Sequence, residues 1–355
     1  MTSLAAVPST DTGTGTDAAA RGSDFARLCR QVRGAALLQR RYLHYVLRAT
    51  VTLLAGGGVL AGVVLLGESW FQLLVAVGLG VVSTQIAFLG HDAAHQQIAS
   101  TRRVNGWLGL IAGNLLTGLS IGWWIDKHNR HHANPNREHH DPDIGEGVLA
   151  FTAEYAEART GRVARFITRN QAALFFPLLT LEGISLHVAS VQHLRSNRGA
   201  KHRRVEVVLL VAHALGYAAI LLAFMDPLPA LAFAAVHQAV FGFYMGCSFA
   251  PNHKGMPIIA AHEKLDYLRK QVLTSRNVRG GWFVDQLLGG LNYQIEHHLF
   301  PSMPRPNLGR ARVLIRDFCR EHQVSYTETG LLASYATALR HLHALGAPLR
   351  DDPAV

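Results

Sequence analysis

Clustered histidines are the residues of this sequence best suited to chemistry, and the chain contains 20 histidines in all. Side chains three or four residues apart lie on one face of an α-helix, so imidazoles at these offsets can bind one ion. Neutral imidazole is a ligand for zinc, copper, iron and nickel. Three clusters have these offsets and together contain seven histidines: His91 and His95; His128, His131 and His132; His297 and His298. The spacing therefore predicts metal-binding helices.

Two further residues are placed to join these clusters. His253 follows a long apolar run, and Gln294 lies three and four residues before His297 and His298. One zinc ion takes three or four ligands, so eight histidines suit two ions better than one. The 3 cysteines are scattered and form no CxxC pair, which argues against a thiolate site. We predict a binuclear, nitrogen-rich metal site, and these residues alone do not identify the metal.

The composition predicts a membrane protein. Hydrophobic residues make up 49% and charged residues 16% of the 355 residues, whereas soluble globular proteins carry about 25% charged residues. Lys and Arg number 34 against 24 Asp and Glu, an excess that is also typical of nucleic-acid-binding proteins. The apolar content instead favours membrane spans with basic flanks, so we expect no nucleic acid to bind.

Four apolar runs are long enough to cross the hydrocarbon core of a bilayer, which is about 30 Å thick. Short polar breaks between them predict two tight hairpins. A buried helix of a soluble protein could explain one such run, but it does not explain four that occur in pairs. The expected spans are residues 46–66, 70–90, 205–224 and 228–250.

The rest of the chain divides into two ends and two ambiguous segments. Residues 1–23 are small and polar, which predicts a disordered tail. Residues 24–330 form the membrane domain, and residues 331–355 form a C-terminal helix or tail. Within the domain, Val104–Trp124 is apolar but rich in glycine, and Ala172–Val191 contains proline, glutamate and histidine. We expect both segments to be re-entrant or interfacial.

Basic residues predict the orientation, because cytoplasmic flanks of spans are rich in Lys and Arg. Arginines precede the first span, cations follow the second and fourth spans, and neither hairpin tip carries one. Both termini are therefore expected in the cytoplasm. If the two ambiguous segments do not cross the membrane, every histidine cluster then lies at the cytoplasmic face. The predicted fold is all-α: a polytopic membrane protein with four transmembrane helices in two hairpins and a cytoplasmic helical cap that holds a di-metal site.

The three clusters resemble the histidine boxes of the membrane fatty acid desaturases in order, in spacing and in position relative to the spans. The resemblance covers roughly residues 40–330. Gln294 replaces a leading histidine, which makes the third box similar to that of the front-end and linoleoyl-type subgroup. The matching stretches are GHDAAH at Gly90–His95, HNRHHAN at His128–Asn134 and NYQIEHHLFPS at Asn292–Ser302.

The resemblance implies an O2-dependent fatty acyl desaturase with two non-haem iron ions. The acyl chain would be carried by coenzyme A, a carrier protein or a membrane lipid. Since the sequence contains no His-Pro-Gly-Gly haem motif, we expect electrons from a separate ferredoxin or cytochrome with its reductase. The expected location is a bacterial cytoplasmic membrane, with the active site on the cytoplasmic face.

The resemblance also implies roles for particular residues, and no catalytic acid or base is expected beyond the metal ligands. Gln294 would be a ligand, a hydrogen-bond partner of one or neither, and Asn252 could act through a water in place of His253. Apart from the resemblance, Asp92 either orients a ligand or is a solvated surface carboxylate. The implied iron ligands are His91, His95, His128, His131, His132, His253, His297 and His298.

Carboxylates near the boxes could accept hydrogen bonds from the outer N–H groups of ligand imidazoles. The candidates are Asp92, Asp126, Asp141, Asp143 and Glu296. Two further sets of histidines lie outside the boxes. Those in apolar segments either have a functional role or hydrogen-bond between helices, and those after the second box are expected in a loop. The first set is His187, His213 and His237, and the second is His139 and His140.

Three other functions are compatible with parts of the pattern. A metal transporter would carry its ligands near the middle of the bilayer, whereas these clusters follow the spans. A membrane zinc hydrolase would need a motif such as HExxH, which does not occur in the sequence. A related di-iron hydroxylase, acetylenase or oxygenase would share the boxes, and only its product would separate it from a desaturase.

The orientation can be tested with reporter fusions. Fusions after Arg102, Lys201 and Lys254 should all report the cytoplasm, because each point follows an even number of spans. A periplasmic or luminal signal after Arg102 would separate the first two histidine clusters and contradict the shared face.

Overall fold

The computed structural model describes the backbone of residues 15–350 and the side chains of residues 24–350. Residues 1–14 of the expected disordered tail lie outside this range. Residues 15–23 are helical instead, as the start of the first helix, because Ala18, Ala19 and Ala20 favour a helix. The helices are α1 Gly15–Gly34, α2 Tyr42–Leu66, α3 Gln72–Ala94, α4 Arg102–Gly109, α5 Ile121–Ala133, α6 Ala153–Glu157, α7 Arg162–Arg169, α8 Gln171–Leu179, α9 Glu182–Ser196, α10 Arg203–Phe224, α11 Pro227–His253, α12 Tyr267–Leu273, α13 Gly281–Leu287, α14 Gln294–Leu299, α15 Arg305–Glu321, α16 Leu331–Leu345 and α17 Ala347–Arg350.

The four predicted spans are confirmed: α2, α3, α10 and α11 are long and apolar enough to cross a bilayer. Their outer ends, at the two tight hairpins, agree closely with the predicted ones. At the opposite, inner ends, α2, α3 and α11 continue three or four residues beyond the apolar runs. His91 and His253 consequently lie on the same continuous helices that cross the bilayer, which gives both side chains a rigid base.

The two ambiguous segments are bent, which suits a broken span as well as a re-entrant loop, so their expected re-entrant or interfacial position stays a prediction. A π-helical segment, Leu110–Leu116, continues α4 and turns by 114° into α5, and α8 turns by 73° into α9. At the first bend the buried Glu206 of α10 accepts hydrogen bonds from Asn114 Nδ2 at 3.1 Å, Ser120 Oγ at 2.6 Å and Gly122 N at 3.2 Å. These bonds satisfy donors at the bend and fix the start of α5 against α10.

Short helices beyond the spans form a cap with its own apolar core. The core joins α1, α12, α14 and α15, so the third histidine cluster on α14 is part of it. Burial of these side chains supplies the main stabilisation of the cap. The buried residues include Leu28, Val32, Leu268, Val272, Ile295, Leu299, Ile315 and Phe318.

The C-terminal part of the described chain is tied to the spans. A short parallel pair of strands, β1 Asn277–Arg279 and β2 Glu328–Gly330, precedes α16. Gln171 Nε2 on α8 donates a hydrogen bond to Leu342 O on α16 at 3.0 Å. The buried Arg276 Nε donates to Pro251 O at 2.9 Å, so it satisfies a carbonyl at the end of α11 beside His253.

Candidate metal centre

Four elements bring the eight candidate histidines together at the inner ends of the spans. The first cluster lies at the end of α3, and His253 lies at the end of α11. The second cluster lies on α5, where helical spacing aligns its side chains, and the third lies on α14. The predicted meeting of all clusters at one face of the spans is therefore seen in the structure.

The first group contains four imidazoles from three elements: His91, His95, His128 and His297. Each places one ring nitrogen within 4.8 Å of the others. His132 joins this group, because its Nε2 atom lies 3.0 Å from His128 Nε2 and 3.1 Å from His297 Nε2. The Nε2 atoms of His91 and His95 are buried and have no hydrogen-bond partner among the described residues. Such orphaned acceptors fit a bound cation.

The second group contains His131, His253 and His298, again with one nitrogen of each ring within 4.8 Å of the others. His132 lies between the two groups, since its ring stacks on that of His298 with 4.2 Å between centroids. The structure thus forms two adjacent nitrogen-rich groups rather than one, as the number of histidines predicts.

The inward nitrogens of the second group carry lone pairs. His253 Nδ1 donates to Thr274 O at 2.9 Å, and His298 Nδ1 donates to Gln271 Oε1 at 2.9 Å. A neutral imidazole has one N–H group, so Nε2 of each ring is an acceptor. These two Nε2 atoms lie 3.1 Å apart, and two acceptors cannot hydrogen-bond each other.

A proton does not readily fill the gap between these acceptors. Burial lowers the pKa of His298 well below its ordinary value, and the neighbouring imidazoles lower it further. Burial likewise lowers the pKa of His297 in the first group. The neutral form of these two rings is therefore favoured, and a metal cation would satisfy lone pairs that otherwise face each other. The donor set fits metal ions bound by nitrogen.

Two carboxylates hold the outer nitrogens of box histidines. Asp141 Oδ1 accepts a hydrogen bond from His131 Nδ1 at 3.0 Å. Asp92 Oδ1 accepts one from His91 Nδ1 at 3.1 Å, and the Arg305 guanidinium lies 2.7 Å from Asp92 Oδ2 in a buried ion pair. Such contacts select which ring nitrogen faces inward and increase its basicity.

The other three candidate carboxylates, Asp143, Asp126 and Glu296, differ in their distance from the box histidines and in their partners. Asp143 lies 3.5 Å from His131 Nδ1. Burial opposes ionisation of Asp143, but the Lys127 ammonium at 2.6 Å, His131 and Lys254 together outweigh it and hold the pKa of this carboxyl below its usual range. Asp126 is exposed, and Glu296 accepts bonds from Asn277 and Tyr326 side chains. Burial raises the pKa of Glu296 to about 7. Neither of these last two contacts a box histidine.

Gln294 and Asn252 line the second group. Gln294 Nε2 donates to His253 Nε2 at 2.9 Å, which agrees with the acceptor state of that nitrogen. Asn252 Nδ2 donates to Gln294 Oε1 over a longer distance, 3.4 Å. The Asn252 Oδ1 atom is buried and has no partner within residues 24–350. Gln294 therefore contacts a candidate ligand directly, and Asn252 contacts Gln294.

The other histidines named above lie outside the two groups. His139 and His140 are exposed in the loop after α5. His213 Nδ1 donates to Leu115 O at 2.9 Å, which links α10 to the first bend. His187 donates to a backbone carbonyl of its own helix, and His237 lies between a serine on α3 and a tyrosine on α10.

Several residues at the site escaped the sequence analysis. Gln271 and Thr274 accept hydrogen bonds from ligand imidazoles, Arg305 pairs with Asp92, and Trp124 stacks on His128 with 4.1 Å between centroids. Histidine spacing gives no signal for them: Trp124 is on α5 but is not a histidine, and the other three come from other elements. One signal was available, since Gln271 is a polar residue directly before the apolar Val272 and Leu273.

Comparisons with known proteins agree with these motifs. A family model described as "Fatty acid desaturase" matches residues 68–330. A Delta(8)-fatty-acid desaturase of Euglena gracilis is 30% identical and aligns with 93% of this chain and 80% of its own length. A Delta(8)-fatty-acid desaturase of Helianthus annuus is 29% identical, over 82% of this chain. An acyl-lipid (9-3)-desaturase of Borago officinalis is 27% identical, over 77%. The chain spans 66% of the Helianthus relative and 63% of the Borago relative, in both cases just under two thirds.

Replacing Asp141 should weaken metal binding without unfolding the spans. In Asp141→Asn an amide replaces the carboxylate on His131 Nδ1, so the imidazole loses its charged acceptor. We expect metal affinity to fall by about 10–100-fold, measured by anaerobic titration of the metal-free protein with Fe²⁺. Asp126→Asn is the matched control, because Asp126 is 58% exposed and pairs with Arg130 on the surface. Equal affinities for the two variants would remove Asp141 from the site.

Proposed function

Since this chain belongs to the fatty acid desaturase family, we propose that it is an O2-dependent fatty acyl desaturase that introduces a double bond into an acyl chain. The observation that carries the proposal is that seven histidines form two adjacent groups, with His132 beside both. Within each group, one ring nitrogen of each histidine lies within 4.8 Å of the others. The curated relatives support it, because their names describe desaturases.

The two groups would hold two iron ions. The first, with His91, His95, His128 and His297, would hold one, and the second, with His131, His253 and His298, the other; His132 lies beside both. Bound iron would supply the activation of O2 that breaks unactivated aliphatic C–H bonds, which no side-chain acid or base can do.

Residues of the chain fix the protonation and the position of the histidines that would bind the metal. Asp92 and Asp141 keep the protons of their histidines on Nδ1, so Nε2 stays free to bind metal. Thr274 O and Gln271 Oε1 do the same for His253 and His298. The rigid inner ends of α3 and α11 fix the two groups relative to each other, which positions the acyl chain against one oxidising centre.

The overall reaction requires partners. Removing two hydrogens from a CH2–CH2 pair while reducing O2 to two waters consumes two electrons and two protons. We therefore propose a separate ferredoxin or cytochrome, with its reductase, as the electron donor.

The proposed location is a membrane, with the site on its cytoplasmic face. The four spans and the basic flanks support it. The relatives named above come from eukaryotes, so they lend no support to the expected bacterial source.

Product analysis tests the proposal directly. Cells of known lipid composition that express the chain with an electron-donor system should accumulate a new unsaturated acyl chain, whose double bond gas chromatography with mass spectrometry can locate. His297→Ala should abolish this product, because it removes an inward nitrogen of the first group. His140→Ala should not, because His140 is exposed in a loop.

Other outcomes would be equally informative. A hydroxylated acyl chain in place of the unsaturated one would assign the chain to a related oxygenase. Unchanged product in His297→Ala would contradict the desaturase assignment, provided the variant is present in the membrane at the normal level.

A further inference from the structure

A short helix outside the four spans exposes two aromatic side chains. Trp282 and Phe283 of α13 are 75% and 67% exposed, although they follow a buried strand and precede the buried third box. No apolar run marks this segment in the sequence. Large adjacent aromatic side chains on a protein surface indicate an interaction site.

The contacts of α13 place it beside the spans. Tyr244 Oη on α11 donates a hydrogen bond to Leu287 O at 2.7 Å, and Gln85 Nε2 on α3 donates to Tyr244 Oη at 2.7 Å. Arg48 on α2 donates to Gln286 Oε1. Gly289, with φ +61°, lies so close to Phe88 on α3 that a Cβ atom would be 2.5 Å from its ring. The C-terminal end of α13 and the residues directly after it therefore pack against three spans.

These contacts lie within the depth of the hydrocarbon core. At 1.5 Å per residue, Tyr244 lies about 26 Å from the outer end of α11, Gln85 about 20 Å from that of α3, and Arg48 about 27 Å from that of α2. The hydrocarbon core is about 30 Å thick. A helix held at these points is thus level with the inner part of the bilayer, not with the surrounding water.

The polar side chains of α13 face the protein. Asp285 accepts hydrogen bonds from Asn292 Nδ2 at 2.7 Å and from Tyr293 Oη at 3.0 Å. Gln286 accepts one from Arg48. The exposed side chains are apolar, which is the reverse of the arrangement in a helix on a water-exposed surface. Tryptophan is also enriched where a membrane protein meets the interface of the bilayer.

We propose that α13 is embedded in the inner leaflet of the bilayer, with Trp282 and Phe283 in contact with lipid acyl chains. The depth of its contacts and the inward polarity of its helix carry this assignment, which goes beyond the proposed function and does not depend on it. The protein would then have a lipid-contacting element directly before the third histidine box.

Spin-label accessibility tests the proposal. In a variant whose native cysteines Cys29, Cys247 and Cys319 are replaced, Trp282→Cys and, separately, Phe283→Cys would carry a nitroxide in protein reconstituted in phosphatidylcholine vesicles. Leu54→Cys, on the exposed side of α2, is the lipid control, and Arg320→Cys, on exposed α15, is the water control.

Labels at both α13 positions should behave like the lipid control: accessible to oxygen and protected from a water-soluble nickel complex. Nickel accessibility equal to that of the Arg320→Cys label at both positions would overturn the proposal and leave the aromatic pair as a surface for a protein partner. The measurement needs no turnover. A protein that fails to desaturate can still show lipid contact, and an active protein can still lack it.

Discussion

Facing acceptor nitrogens are the constraint on which the rest of the structure depends. His253 Nε2 and His298 Nε2 lie 3.1 Å apart, and the N–H groups of both rings are committed to acceptors outside the pair. Two buried lone pairs at this distance repel each other, and the Gln294 amide donates only to that of His253. Buried polar atoms without a partner cost free energy, as the orphaned nitrogens of His91 and His95 do. A cation would satisfy these nitrogens together, so the arrangement suits a metal site.

Such an arrangement must be held from outside, and the structure uses rigid elements for this purpose. α3 and α11 continue beyond their apolar runs, so two of the four histidine-bearing elements are extensions of spans. Glu206 fixes the bend that leads into α5, and Arg276 satisfies a carbonyl at the end of α11. The cap core anchors α14. Each element is thus stabilised by contacts that do not involve the metal site.

The sequence predicted features that depend on local patterns. Apolar length identified the four spans, and histidine spacing identified the clusters, because both signals are contained within single helices. Charge bias and the number of spans then placed all clusters on one face, and the structure brings them together. The helical start of α1 was missed, because small polar residues also suit disorder and only the three alanines favoured a helix.

Features that depend on loops and distant contacts could not be predicted in this way. Asp126 and Asp141 both lie near the second box, yet only Asp141 meets His131, because the loop after α5 folds back. Gln271 and Arg305 reach the site from helices with no chemical motif of their own. The lipid-facing side of α13 could not be predicted either. No pattern of polar and apolar residues in its sequence marks that side, which is recognised only from the contacts with the neighbouring spans.

Metal stoichiometry tests the central claim most directly. The seven histidines of the two groups, with His132 beside both, exceed the three or four ligands that one ion takes, so we expect two ions. Protein purified from iron-replete cells should contain about two iron ions per chain by elemental analysis. A single tightly bound zinc ion per chain in such a preparation would contradict the account, because one ion cannot satisfy the nitrogens of both groups.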